Sequence, residues 1–217
     1  MASLKEVKNR ITSVISTQQI TKAMRMVAAS KLRRSQEKMH QIRPYAAKLN
    51  TVVRNLSASI GSDDDSNWYA TKRPENKILI VAITSDRGLC GAFNSIVIKA
   101  TIRLVQEKYA TQYARGDVTI LPLGKRSMEY FSKRKFNCQN SYWGIFSQLT
   151  FENASNAGNY LIEAFKRGEY DKVEIVYNEF KNVATQILTI EQFLPLKEKS
   201  VTGEQPPNYI FEPAGKE

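Results

Sequence analysis

Apolar residues recur through the first sixty positions in one unbroken heptad phase. Of the seventeen places 4, 7, 11, 14, 18, 21, 25, 28, 32, 35, 39, 42, 46, 49, 53, 56 and 60, thirteen are apolar; Gln18, Thr21, Arg25 and Ser35 are the exceptions. A seam of this kind, held so long, predicts a helix that winds against another helix. Where the seam turns polar, Ile20, Met24 and Val27 open a second stripe, with Ala23 and Met26 beside it. Between about residues 15 and 29 the helix is therefore apolar on more than one side, which suits a surrounding rather than a single partner. Ser3-Leu4-Lys5-Glu6 has the form of a capping box, Ser3 as N-cap and Glu6 reaching back to it. The next glycine is Gly61, so the predicted helix runs from Leu4 to Ile60. At ~1.5 Å per residue that is about 85 Å, more than any one domain of such a chain spans, and most of it is expected to project. Pro44 costs the helix one hydrogen bond, ~3 kcal/mol. Because the phase continues from Met39 and Ile42 to Ala46 and Leu49, Pro44 reads as a bend within one helix; the alternative is two helices, the second opened by Pro44.

After the helix the period changes. Residues 61–76, GSDDDSNWYATKRPEN, form a polar linker, and 77–83, KILIVAI, read as a strand buried on both faces. The glycine turn SDRGLCGAFN (85–94) leads into a helix expected from about Ala92 to Tyr109. VTILPLG (118–124) is a second strand, Arg126–Lys133 a short helix, and Asn140–Phe146 a third, ragged strand. A helix from about Asn153 to Arg167 turns Leu161, Ile162 and Phe165 inward, and VEIVYNEF (173–180) with TQILTIEQFLPL (185–196) forms a hairpin. Such alternation predicts an α/β fold: a long N-terminal coiled-coil helix followed by a Rossmann-like three-layer domain, its sheet mainly parallel with an antiparallel edge. The expected division is a helix over 1–60, a linker over 61–76, an α/β domain over 77–196 and a polar tail over 197–217.

Charge sharpens this picture. Of a net +11, nearly all belongs to the helix: residues 1–56 hold twelve Lys and Arg against Glu6 and Glu37. That asymmetry implies an acidic counter-surface. Nucleic acid is the less suitable one, since the helix offers only Tyr45 for stacking and its Asn and Gln are scattered. An acidic protein suits both seam and charge. Cys90 and Cys138 alone suggest a reducing compartment, and His40, the single histidine, falls at an outward helix position, far from a metal-ligand set. No apolar run approaches the ~20 residues of a membrane span. The turn 85–94 is the one place that suggests an enzyme, because a glycine loop between strand and helix can hold a pyrophosphate. Gly88 and Gly91 match neither the dinucleotide nor the Walker spacing, however, and the turn reads as structural, capped by Ser85 or Asp86. Cys90 has no histidine near it to make a nucleophile.

Two segments in this order carry a specific resemblance. LKEVKNRITSVISTQQITKAMRMVAASKLRRSQ (4–36) followed by ITSDRGLCGAFN (83–94) resembles the gamma subunit of the rotary proton-translocating ATP synthase, and Tyr209, Phe211, Glu212 and Pro213 resemble the run before that family's last helix. The resemblance implies a non-catalytic rotor of the central stalk, without cofactor or metal, that couples proton flow through a membrane ring to ATP synthesis. It implies the alpha and beta subunits of the catalytic hexamer, the epsilon subunit and the ring of c subunits as partners, with membrane association only through the complex. The implied location is the cytoplasmic face of the bacterial inner membrane. Partner binding is expected at Ile20, Lys22, Met24, Arg25, Val27, Lys31, Arg33 and Arg34, the cations facing acidic lever loops. Ser85, Asp86, Arg87, Gly88 and Gly91 would form a structural loop. The family's second shaft helix follows the Phe211-Glu212-Pro213 region, so the chain is expected to be C-terminally truncated, its seam open to self-association. A nucleotide-binding α/β enzyme and a basic nucleic-acid scaffold are the alternatives.

Overall fold

The computed structural model describes residues 3–60, 68–71 and 73–196, without the side chains of 54–60. Half of the linker (61–67 and 72) and the whole tail, including Tyr209 to Pro213, lie outside the described residues. The chain divides into two compact units, Met1–Leu56 and Ser57–Glu217.

The first element, α1, is one helix from Leu4 to Ile60 with Pro44 inside it, so Pro44 starts no second helix. Ser3 supplies its carbonyl to the amide of Val7 at 3.1 Å. Among the described residues the Glu6 carboxylate bonds Arg10 at 2.7 Å and makes no capping-box bond to Ser3. Arg33 and Glu37 repeat this i,i+4 pairing at 2.9 Å; both pairs are exposed and add about 0.3–0.5 kcal/mol each.

In the second unit β1 (Ile78–Ile83) is central, and the sheet order is β2-β1-β3-β4. β2 (Val118–Leu123) and β3 (Lys172–Phe180) flank β1 in parallel, and β4 (Gln186–Leu194) pairs antiparallel with β3 as an edge. The two-residue period of a strand sends alternate β1 side chains to opposite layers. Ile78 and Ile80 meet Val97, Leu104, Val105 and Tyr109 on one side; Leu79 and Val81 meet Leu161 and Phe165 on the other. The first layer is α2 (Phe93–Arg103), α3 (Ala110–Arg115) and α4 (Lys125–Lys133); the second is α5 (Phe151–Lys166). Each large apolar side chain so buried contributes about 1.5–3 kcal/mol.

Two expectations change. The helix expected to run to Tyr109 is interrupted: Leu104–Lys108 form a π-turn, with the Tyr109 amide bonded to the Leu104 carbonyl at 3.2 Å. The inward positions Val97, Thr101, Leu104 and Val105 would next bring Lys108 into the core. One extra residue in the turn instead puts Tyr109 there, 1% exposed, and leaves Lys108 half-exposed. No strand forms over 140–146. The segment before it bridges β2 only at Cys138, opposite Ile120, and Ile145–Gln148 make a 3-10 turn. The reason lies in β2. Ile120 presents its outward edge, donating to Asn137 and accepting from Gln139 at 2.8 and 2.9 Å. The next residue on that edge is Pro122, which has no amide to continue a ladder.

Candidate functional site

Two groups of residues are candidates: the apolar and cationic stretch of α1, and the turn after β1. On α1, Ile20, Met24 and Val27 are 62%, 66% and 56% exposed in this chain, with Met26 at 59%. These are large apolar surfaces without cover among the described residues, and exposure of that extent in a contiguous patch marks an interaction surface. At Thr21 the break in the seam is less polar than its sequence, and Thr17 beside the seam behaves alike. Thr17 and Thr21 turn their hydroxyls onto the carbonyls of Ser13 and Thr17, at 2.9 and 2.8 Å, so the groups they leave outward are methyls. Lys22, Arg25, Lys31 and Arg34 are exposed, and none has an ion-pair partner among the described residues. Arg33 differs, since Glu37 already holds it. The eight residues thus share one helical stretch, five of them cationic and four of these unneutralised.

The turn after β1 is built differently. Asn94, in the first turn of α2, fills its centre: Oδ1 accepts from the Ser85 amide at 2.9 Å, and Nδ2 donates to Ser85 Oγ, Cys90 Sγ and the Arg87 carbonyl. Ser85 Oγ donates to the Arg87 carbonyl at 2.6 Å, closing the loop on itself. Asp86 does not cap this loop; its Oδ1 accepts from the Lys125 amide at 2.9 Å and so caps the first turn of α4. Gly91 has φ of +59°, which favours glycine, whereas a Cβ on Gly88 would meet only the movable guanidinium of Arg126 at 3.0 Å. Arg87 and Leu89 are exposed at the tip. With the Asn94 and Ser85 side chains inside the loop, the arrangement braces β1, α2 and α4 against one another.

Sequence reasoning missed three residues here. Asn94 was visible but carried no spacing signal. Thr84 and Ser127 form a buried pair, Thr84 Oγ1 donating to Ser127 Oγ and accepting the Ser127 amide, both at 2.9 Å. Gly124 allows that approach: a Cβ there would lie 2.2 Å from the Thr84 carbonyl oxygen. These residues are some forty positions apart, and no motif joins them.

A family profile described as ATP synthase matches residues 3–217, essentially all of the chain. The chain belongs to the ATP synthase gamma-chain family. The gamma chain of Cytophaga hutchinsonii is 48% identical over 221 residues, which covers 100% of this chain and 75% of that one. That of Flavobacterium johnsoniae is also 48% identical, over 219 residues and 74% of its length. The central stalk and c-ring structure of Tetrahymena thermophila mitochondrial ATP synthase resembles it with a TM-score of 0.56 at 25% identity, covering 81% of this chain and 72% of that one. As a gamma chain it is a non-catalytic central-stalk subunit of ATP synthase and a peripheral part of that membrane complex; the similarities lend no support to the enzyme and nucleic-acid alternatives. Among the described residues, no helix is long and apolar enough to cross a membrane.

Proposed function

We propose that α1 is the part of this gamma chain that the catalytic hexamer grips, and that Ile20, Lys22, Met24, Arg25, Val27, Lys31, Arg33 and Arg34 are the gripped residues. In this reading residues 1–60 are the shaft, 61–76 a linker, 77–196 the α/β body of the stalk and 197–217 the lead toward a second shaft helix. The observation that carries it is the coincidence on one stretch of exposed Ile20, Met24 and Val27 with Lys22, Arg25, Lys31 and Arg34, which have no ion-pair partner among the described residues. A rotor needs a bearing that holds it centrally without locking one angle. Smooth apolar contact supplies the first requirement. Separated charges supply the second, since attraction between exposed groups some Å apart varies gently with position. Acidic loops on the alpha and beta subunits are the counter-surface, and a protein partner suits this helix better than nucleic acid. The body meets the ring of c subunits and the epsilon subunit, at the cytoplasmic face of a bacterial inner membrane. Rotation of the stalk by proton flow then reaches the catalytic subunits through α1.

Co-purification with the alpha and beta subunits tests this. Reversing Lys31, Arg33 and Arg34 to Glu together is expected to weaken retention of the gamma chain on the hexamer at low salt and to leave what remains less weakened by added salt. Retention unchanged by the three reversals at low and high salt would remove the proposal's basis.

A further inference from the structure

A lone covalent strand transmits twist poorly, because φ and ψ turn at every residue. Residues 68–77 stand in the chain between the end of α1 and the start of β1. The described part of this segment is fastened at many points to its own α/β unit. Arg73 donates from Nη1 to the Phe165 carbonyl at 2.8 Å and lies 4.9 Å over the Phe165 ring. Asp171 Oδ2 accepts from the amides of Asn76 and Lys77 at 3.2 and 2.9 Å, and Gln112 Nε2 donates to the Glu75 carbonyl at 2.8 Å. The Tyr69 carbonyl accepts from the Leu196 amide at 2.8 Å.

At the centre is a relay of charges. The Glu75 carboxylate meets Lys172 Nζ at 2.6 Å, and Lys172 lies 3.9 Å from Glu174. Glu174 also takes Lys108, the residue the π-turn displaces from the core. The side chains of Lys172 and Glu174 are 8% and 3% exposed, so their charges are held by one another rather than by water. Glu75, half-exposed, is the one member that belongs to the incoming segment.

We propose that residues 68–71 and 73–77 form a torque strap, in which Arg73 and the Glu75–Lys172–Glu174–Lys108 relay fix the α/β body to the chain leading from α1. The proposal rests on the rotor role of the gamma chain. Arg73 and Glu75 act as positioning residues: they touch no reacting group, but they stop the body from turning against its own attachment.

The test uses the whole ATP synthase in vesicles, with ATP hydrolysis and ATP-driven proton pumping measured together. The double variant Arg73→Gln and Glu75→Gln removes the strap's own side-chain anchors, while Lys172 keeps Glu174 and the body keeps its core. Hydrolysis is expected to stay near that of the unsubstituted complex while protons pumped per ATP fall several-fold. Glu75→Asp, which preserves the carboxylate, is expected to keep most of the pumping. An unchanged ratio in the double variant overturns the proposal. So does an equal fall in hydrolysis and pumping, which is the signature of lost assembly. Failure of the rotor role itself would look different: the unsubstituted gamma chain would then not restore pumping to a complex lacking it.

Discussion

The glycines separate by what surrounds them. Gly124 combines φ of +109° with the Thr84 carbonyl 2.2 Å from any Cβ, so Gly124→Ala must push the end of β1 aside. Gly91 needs only a left-handed backbone in open space, and Gly88 needs neither. The expected order of destabilisation is Gly124 largest at about 3 kcal/mol or more, Gly91 about 1–2, and Gly88 least, read from urea midpoints of the alanine variants. Phe165, fully buried among Leu79, Val81 and Leu161, should cost about 3–5 kcal/mol when cut to alanine. Burial pushes the Tyr170 phenol up to about 12, with a Thr119 hydrogen bond pulling the other way. The unfolded chain therefore loses this proton first as pH rises, so the contribution to stability is complete below pH ~10 and disappears between about 10 and 12. Tyr170→Phe should flatten the alkaline fall of the melting temperature in that window; a fall as steep as in the unsubstituted chain would place its cause elsewhere. Burial likewise raises the Cys138 thiol.

At the scale of elements, what could be read from the chain depended on whether one residue period settled the outcome. KILIVAI was legible because a strand buried on both faces is apolar throughout, and α1 because its seam keeps phase across Pro44. The π-turn was not legible: Lys108 at an inward position is explained only by Glu174, sixty-six residues away. The segment 140–146 resembles a ragged strand because Tyr142, Trp143, Ile145 and Phe146 are residue types that strands favour, while its potential partner edge is spoiled by Pro122. In the turn 85–94 the glycine spacing was plain in the chain, but Asp86 bonds the amide of Lys125, beyond the reach of any local motif. For the binding face, the residue types were plain in the sequence, whereas the Glu37 pairing that separates Arg33 from its neighbours was not. Within α1, Pro44 leaves a carbonyl without its helical donor. Pro44→Ala is expected to stabilise α1 by up to ~3 kcal/mol, seen as slower amide exchange around residue 40. Exchange there as slow before the substitution as after would show that the proline costs this helix nothing.

The whole molecule joins a uniformly basic helix to a nearly neutral α/β unit, and this asymmetry sets how the gamma chain associates. Charges at solvent-exposed positions are screened over about 8–10 Å at ordinary salt, while apolar contact is not. Assembly with the hexamer is therefore expected to weaken with salt and then level off at what Ile20, Met24 and Val27 supply. A loss that continues without a plateau would make charge the whole of the attraction. The most direct measurement is a photo-crosslinker placed at position 24 of the gamma chain in the assembled ATP synthase. Covalent capture of the alpha or beta subunits is expected, distributed over more than one of them as the stalk turns. Capture of neither, with the complex intact and active, would contradict the proposed grip.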